Sequence, residues 1–240
     1  MPFATRYTYE FIKRFLPAKC RRILEVGCGT GELAALLSKD GYSVVAIDTK
    51  PESVAAARQL GVDARIATWP NFDEGQFDAV LFAHSLHHIY PLEGALRHVA
   101  DSLAQGGSVI VEDFAHESAD EKTLRWFAST VRLLEATGAL IASDEFLEMA
   151  LSKTEMVKPW RQDHGHDLHR SVEIDAQLEK VFGRLRRENA PFYFRYIADA
   201  VATSANPDAL LQAFAEQEKT LAADGSIAAL GRRYVARHDG

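Results

Sequence analysis

The sequence predicts an α/β protein: a mostly parallel, doubly wound sheet with helices on both faces, in a single domain spanning residues 1–240. Three observations predict it. Strand and helix patterns alternate through the first half of the chain, as they do where parallel strands are joined by crossover helices. A glycine-rich loop, Glu25-Val26-Gly27-Cys28-Gly29-Thr30-Gly31, follows the first strand and opens a helix. The 240 residues are 47% apolar and 25% charged, an ordinary globular balance that buries a sizeable core without disulfide or metal staples.

Each element follows in order. Phe3, Tyr7, Phe11 and Phe15 recur at helical spacing, broken by Arg6, Glu10, Lys13 and Arg14, so residues 1–16 read as an amphipathic helix and not as a secretory signal. Ile23 to Val26 is a short strand, and Gly31 to Lys39 carries Leu33, Leu36 and Leu37 at helical spacing. Ser43 to Ile47 is a second buried strand. Thr49 and Glu52 are spaced for a capping box opening a helix through Gln59. Ala64 to Ala67 reads as a third strand and Phe77 to Phe82 as a fourth. Leu92, Ala95, Leu96, Val99 and Leu103 share one helix face, which Gly106-Gly107 is expected to stop before a fifth strand from Ser108 to Glu112.

The alternation then breaks. Residues 117–170 hold two helical stretches, Glu121 to Thr137 and Asp144 to Val157, then a polar loop rich in histidine. They read as a helical insertion serving as a lid. Glu173 to Phe182 resumes the helix rhythm, and Arg184 to Glu188 is a candidate strand. Pro191 to Val201 and Pro207 to Ala223 read as helices, the second capped by Asn206 with Pro207 in its first turn. Arg232 to Arg237 is a last strand.

Charge and composition exclude several classes. Lys plus Arg is 27 against 34 Asp plus Glu, a net charge of −7, which lacks the electrostatic footprint of a general nucleic-acid binder. Two cysteines, Cys20 and Cys28, rule out a disulfide framework and a cysteine-only zinc site. No apolar run approaches the roughly 18 residues that span a membrane. A reducing cytoplasm is the expected setting.

The glycine loop carries the first chemistry. Glycines there let the backbone turn tightly and approach a ligand, and the helix behind presents free N–H groups to an anionic moiety. Asp48, at the end of the second strand, suits a ribose diol. Loop and acid together describe a nucleoside-containing ligand at the carboxyl edge of the sheet. The third glycine comes one residue earlier than in the Gly-x-Gly-x-x-Gly of dinucleotide enzymes.

Glu25 to Gly31 resembles the first motif of the class I S-adenosylmethionine-dependent methyltransferases, and Val44-Val45-Ala46-Ile47-Asp48 their second. Phe77-Asp78-Ala79-Val80-Leu81, Ser85-Leu86-His87-His88-Ile89 and Leu103-Ala104-Gln105-Gly106-Gly107-Ser108-Val109-Ile110-Val111 continue the resemblance, which is similar to the branch called type 11 methyltransferases. It covers residues 21–113 by motif and the rest by topology. It implies a seven-stranded sheet with its last strand antiparallel. It also implies S-adenosyl-L-methionine as cofactor and S-adenosyl-L-homocysteine as product. Gly27, Gly29 and Gly31 would take the methionine moiety, Glu25 and Cys28 would belong to the same loop, Asp48 would take the ribose hydroxyls, and Thr49 would be a further cofactor-binding residue. Ala83 and His84 would lie beside the cofactor. Relatives often carry an acid after the third strand. Here Thr68 stands there, and Trp69 either covers the adenine face or packs in the core.

The activated methyl leaves the protein mainly to align an acceptor and, for an amine or hydroxyl, to supply a base. His84, His87 and His88 follow the fourth strand at the ligand edge, with His87 the first choice as base and His84 the next. Glu112 and His116 follow the fifth strand at the same edge. His164-Gly165-His166-Asp167-Leu168-His169 resembles a metal-ligand run only in composition, so no metal is expected. Tyr193, Arg195 and Tyr196 either line an acceptor pocket or pack the last helices. The expected activity is methyl transfer to a small-molecule acceptor. The alternatives are a nucleotide-cofactor oxidoreductase and a non-catalytic protein that binds S-adenosylmethionine.

Overall fold

Side-chain alternation builds the sheet. In β1 (Arg22–Val26), Ile23 packs on one face while Leu24 and Val26 pack on the other. In β2 (Ser43–Asp48), Val44 and Ala46 join Ile23, whereas Val45 and Ile47 join Leu24. A strand buried on both faces reads as a nearly continuous apolar run, the parallel-sheet pattern. β3 (Asp63–Ile66), β4 (Phe77–Ala83), β5 (Leu103–Phe114), β6 (Leu185–Ala190) and β7 (Gly231–Arg237) complete a seven-stranded sheet in the order β3-β2-β1-β4-β5-β7-β6. β1 runs parallel to β2 and β4, β3 parallel to β2, and β5 parallel to β4. β7 is antiparallel, as expected.

The computed structural model describes residues 1–141, 145–152, 155–164 and 167–238. The chain divides into two compact units. The sheet unit comprises residues 5–113, 169–188 and 232–240. On one sheet face it packs Phe11 and Ile12 of α1 (Phe3–Phe15), Leu33 and Leu37 of α2 (Glu32–Lys39), and Val54 and Ala57 of α3 (Pro51–Gln59). On the other it packs Leu92, Leu96 and Val99 of α4 (Leu92–Ser102).

The helical unit comprises residues 1–4, 114–168 and 189–231. It holds α5 (Glu121–Ala136), α6 (Glu145–Ser152) and α7 (Val157–His164). The helix over Ser171–Phe182, α8, returns to the sheet unit, where Ile174 and Leu178 share the α4 face. α9 (Phe194–Ile197) and α10 (Pro207–Ala223) belong to the helical unit. Its core is aromatic: Phe114 stacks on Phe192 at 4.9 Å, Trp160 on His164 at 4.0 Å, and Phe127 lies 5.3 Å from Tyr193.

Several expectations are corrected. Thr49 and Glu52 form no capping box, because α3 begins at Pro51 with Lys50 before it and no side-chain cap. Leu103 leaves the helix and pairs with Phe77, so β5 starts before the glycine pair. The stretch after Val157, expected as loop, is helical to His164. The helix expected over Pro191–Val201 shrinks to Phe194–Ile197. Asp144, Gly165 and His166 lie outside the described residues.

Candidate functional site

The loop after β1 is tied to β2: the backbone N–H groups of Gly27 and Cys28 both donate to the Ile47 carbonyl, at 2.8 and 3.0 Å. That bond pair sets the glycines beside Asp48. One Asp48 carboxylate oxygen accepts from the Gly29 N–H and the other from the Lys50 N–H, each at 2.9 Å. A carboxylate has about four acceptor directions, so both oxygens keep capacity for a ligand's hydroxyls.

The glycines differ in what they require. Gly29 has φ +52° and nothing within 4 Å of where a Cβ would stand, and it lines a cavity. Gly31 has φ +84° and would place a Cβ 2.5 Å from the Ala57 Cβ, so it answers close packing of α2 on α3.

The cavity, about 570 Å³, lies within the sheet unit at the carboxyl ends of its strands. That volume is in the range of cofactor pockets, roughly 300–1,000 Å³, and the position is where open α/β sheets bind ligands. Of the expected cofactor residues, Gly27, Gly29, Asp48, Thr49, Thr68, Trp69 and His84 line it. Trp69 borders the cavity, and its buried ring packs against Phe82 while its indole N–H donates to the Ala95 carbonyl at 3.1 Å. Glu25, Cys28, Gly31 and Ala83 are not among the lining residues. Glu25 is buried behind the loop, where desolvation and the charges of Glu32 and Asp48 push its pKa up to about 8. Burial likewise pushes the Cys28 thiol up to about 12.

His88, placed at this edge by the sequence, lines the cavity, and sequence reasoning assigned no site role to Lys50, Ser53, Ser85, Ile89 and Tyr90, which also line it. The signal for Ser85, Ile89 and Tyr90 was their position after β4. His88 is held below the usual imidazole range by desolvation and the neighbouring His87. His169 braces this wall: its N–H donates to the His87 carbonyl at 2.9 Å, its Nε2 lies 3.0 Å from the Ile89 carbonyl, and its ring sits 3.9 Å from that of Tyr90.

The candidate acid–base residues separate into three settings. His84 lines the cavity with φ +58°, a left-handed conformation that a non-glycine residue keeps only where its surroundings fix it. Its N–H donates to the Glu112 carbonyl at 2.8 Å, and its Nε2 lies 3.4 Å from the Glu112 carboxylate. Glu112 itself is engaged inside the protein. Its Oε1 accepts from Arg233 Nε at 2.7 Å, Arg233 Nη2 lies 2.6 Å away, and its Oε2 accepts from the Thr8 hydroxyl. The Arg233 guanidinium lies over the Tyr7 and Phe11 rings.

His87, 4% exposed, is the second setting. Its Nδ1 is 2.5 Å from Asp113 Oδ1, and its backbone N–H donates to Asp113 Oδ2 at 3.1 Å. His116 is the third and falls in the helical unit, where its carbonyl accepts from the Trp160 indole N–H at 2.8 Å.

Tyr193, Arg195 and Tyr196 also fall in the helical unit. Tyr193 is fully buried among rings, and burial raises its pKa well above the usual phenol value. Arg195 is half-buried, its guanidinium lies 4.9 Å from the Phe194 ring centre, and its charge works to lower the Glu218 pKa. The Tyr196 hydroxyl is 3.0 Å from His164 Nε2. Among the described residues no cluster of three or more His, Cys, Asp or Glu is arranged to hold a metal ion, and none of the helices is long and apolar enough to cross a membrane.

Comparison with known proteins assigns the family. Residues 3–170 match the methyltransferase domain family. An uncharacterized methyltransferase of Mycobacterium bovis is 38% identical over 105 residues, which cover 42% of this chain and 43% of that protein. The trans-aconitate 2-methyltransferase of Mycobacterium tuberculosis is 31% identical over 107 residues, 43% of this chain and 41% of that protein. These matches thus span less than half the length of the curated relatives. In fold, the chain resembles a Haemonchus contortus phosphoethanolamine N-methyltransferase solved with S-adenosyl-L-methionine, at TM-score 0.59 and 17% identity over 97% of this chain and 52% of that one. It also resembles the plantazolicin methyltransferase BpumL solved with a triazolic desmethylPZN analog and S-adenosylhomocysteine, at TM-score 0.60 and 14% identity over 99% of this chain and 86% of that one. The matches support the wider family and do not single out the type 11 branch. With the β3-β2-β1-β4-β5-β7-β6 sheet and the residue 3–170 match together, the chain belongs to the S-adenosylmethionine-dependent methyltransferases of class I fold.

Proposed function

We propose that this protein transfers a methyl group from S-adenosylmethionine to a small-molecule acceptor. The observation that carries the reading is the join between Gly29 and Asp48 at the cavity wall: a glycine whose missing side chain leaves the cavity open, donating its N–H to the acid that faces the same space. Asp48 and Thr49 would hold the ribose, Gly27 and Gly29 the amino-acid end, and Thr68 with Trp69 the adenine. S-adenosylmethionine supplies a methyl group already activated by its sulfonium. The chain's own residues bind and orient it and keep the histidine-bearing loop after β4 at its side. The likeness to a trans-aconitate methyltransferase supports a small acceptor, and the net charge of −7 weighs against nucleic acid.

Titration calorimetry tests this. S-adenosylmethionine and S-adenosylhomocysteine should bind, and a nicotinamide dinucleotide should not. Binding of the dinucleotide alone would return the protein to the oxidoreductases. Asp48→Ala should weaken S-adenosylhomocysteine by about 1.5–3 kcal/mol, roughly 10–150-fold. Binding without turnover on a broad acceptor panel would mark a non-catalytic binding protein.

A further inference from the structure

The chain re-enters the sheet unit at residue 169, and the first side chain there reaches the cavity wall. The His169 N–H donates to the His87 carbonyl at 2.9 Å, and ring Nε2 lies 3.0 Å from the Ile89 carbonyl. A carbonyl only accepts, so Nε2 carries a proton. The imidazole also lies against the Tyr90 ring, with centres 3.9 Å apart and planes at 31°. These contacts reach three successive parts of a segment in which His88, Ile89 and Tyr90 line the cavity. The turn Leu86–His88 closes locally, with the His88 N–H on the Ser85 carbonyl and the Ile89 N–H on the Leu86 carbonyl, each at 3.1 Å. Those short bonds do not set where Ile89 and Tyr90 lie. His169 itself stands on a fixed base. It directly precedes α8, where Glu173 accepts the Arg170 N–H at 2.9 Å and the Ser171 carbonyl accepts from the Tyr234 hydroxyl at 3.3 Å. Ile174 and Leu178 of α8 are fully buried in the core against which Ile89 packs.

We propose that His169 is a positioning residue for the cofactor: through its Nε2–H and its ring it holds Ile89 and Tyr90 as a preset apolar and aromatic wall for the nucleoside of S-adenosylmethionine. This rests on the methyl-transfer reading and deepens its cofactor site. A wall set before the ligand arrives favours binding, because freezing mobile side chains at the moment of binding costs affinity. Tyr90 is 52% exposed, too open for burial alone to fix its ring, and the His169 ring lies beside it. The two parts of the brace are separable in chemistry. A glutamine at 169 keeps an N–H for the Ile89 carbonyl, and a phenylalanine keeps a ring beside Tyr90 with no donor.

The test compares His169→Ala, His169→Gln and His169→Phe with the parent, each as the full chain. Calorimetry reads S-adenosylhomocysteine affinity, hydrogen exchange reads the amides of residues 88–90, and thermal unfolding reads stability. His169→Ala should weaken S-adenosylhomocysteine by about 5–10-fold, within what one net hydrogen bond supplies, and speed exchange at residues 88–90. His169→Gln should return affinity to within about twofold of the parent, since it restores the donor. A residue that served packing alone would behave otherwise: affinity would fall in step with the unfolding midpoint, and Phe would restore both while Gln restored neither. That pattern overturns the proposal, and so does an His169→Ala protein whose affinity stays within about twofold of the parent. Ring ¹⁵N spectra of the parent, with His169 assigned from its absence in His169→Gln, add a reading that needs no alanine variant to fold. A protonated Nε2 is expected with and without S-adenosylhomocysteine, and an unprotonated one overturns the proposal. A parent that binds no S-adenosylhomocysteine fails the methyl-transfer reading itself, whereas equal binding by parent and His169→Ala fails this proposal alone.

Discussion

The sheet unit and the helical unit each bury a carboxylate, and they treat it differently. Glu25, in β1, accepts a backbone hydrogen bond from Ala34, but its Oε2 has no hydrogen-bond partner among the described residues. Glu218, in α10 and with no exposed surface, accepts the N–H groups of Phe192 and Tyr193 at 2.6 and 3.0 Å. Desolvation pushes Glu218 up to about 7, held back by those donors and by Arg195, while Glu25 rises to about 8 with two like charges adding to burial. A half-satisfied buried carboxyl group costs stability. It sits directly before the loop that lines the cavity. The satisfied one pins the turn into α9. The sheet unit tolerates unfavourable polar burial beside its ligand edge, and the helical unit uses polar burial to organise an aromatic core.

The largest expected effect is in the helical unit. Trp160→Ala removes a ring stacked on His164 and the hydrogen bond to the His116 carbonyl. It should destabilise that unit by about 3–5 kcal/mol, read from Trp126 fluorescence in denaturant. S-adenosylhomocysteine affinity should stay within threefold, because every residue lining the cavity is in the sheet unit. A loss below about 1 kcal/mol would mean that the aromatic cluster is not the core of that unit.

Within the sheet unit the two glycines should separate stability from binding. Gly31→Ala forces a Cβ to 2.5 Å from Ala57 at φ +84°. The left-handed backbone and the overpacking together should cost about 2–4 kcal/mol. Gly29→Ala, with open space around it, should cost only about 1–2 kcal/mol of stability but weaken S-adenosylhomocysteine more than Gly31→Ala does in folded protein. The reverse order of binding effects would remove Gly29 from the ligand wall.

The two carboxylates should also differ in pH dependence. For both, the folded pKa lies above the ordinary 4.5, so the folded state holds more protons than the unfolded state between 4.5 and the raised value. Stability therefore falls as pH rises through that window, to about 8 for Glu25 and about 7 for Glu218. Glu25→Gln should flatten the fall between pH 5 and 8 by on the order of 2–3 kcal/mol. Above about 7 Glu218 is ionised and serves as a charged acceptor for two backbone donors, so Glu218→Gln should gain less stability at pH 8 than Glu25→Gln does. Unfolding midpoints of the three proteins at pH 5 and 8 decide it.

These contrasts follow what the sequence makes legible. Strands buried on both faces appear as short apolar runs, and the loop with Asp48 is readable because adjacent backbone geometry alone creates its hydrogen bonds. Side-chain direction at the sheet edge is not readable in that way. Glu112 and Asp113 are neighbours on a strand and point to opposite faces. Which one meets a histidine depends on register, and the structure gives Asp113 to His87 and Glu112 to His84. His88, and not His87, lines the cavity because Leu86–His88 forms a tight turn whose rotation no local pattern announces. Helix α7 hides behind Pro159, a residue tolerated in a first turn and easily read as a breaker. The short α9 reflects Glu218, far along the chain, holding the preceding N–H groups.

The smallest expected effects concern the caps of the helical unit, and they show whether its helices depend on local signals or on the aromatic core. Asp120 caps α5 by accepting the Thr123 N–H at 2.8 Å, and that hydrogen bonding holds its pKa below the usual carboxylate value. Asn206 faces the Ala209 N–H before α10 at 3.5 Å, at the outer limit of a hydrogen bond. Asp120→Ala should therefore cost about 0.5–2 kcal/mol, and Asn206→Ala should fall at or below the bottom of that range. The Asp120 contribution is present above its ordinary pKa of 3.8 and fades as pH falls through the lowered folded value, because protonation removes the charged acceptor. Asn206 has no such titration. Chemical unfolding at pH 7 and pH 3 should thus show the Asp120→Ala loss shrinking in acid while the Asn206→Ala loss stays constant. Equal losses at both pH values would mean that Asp120 acts only by position, and that packing of Phe127 and Tyr193 sets the start of α5.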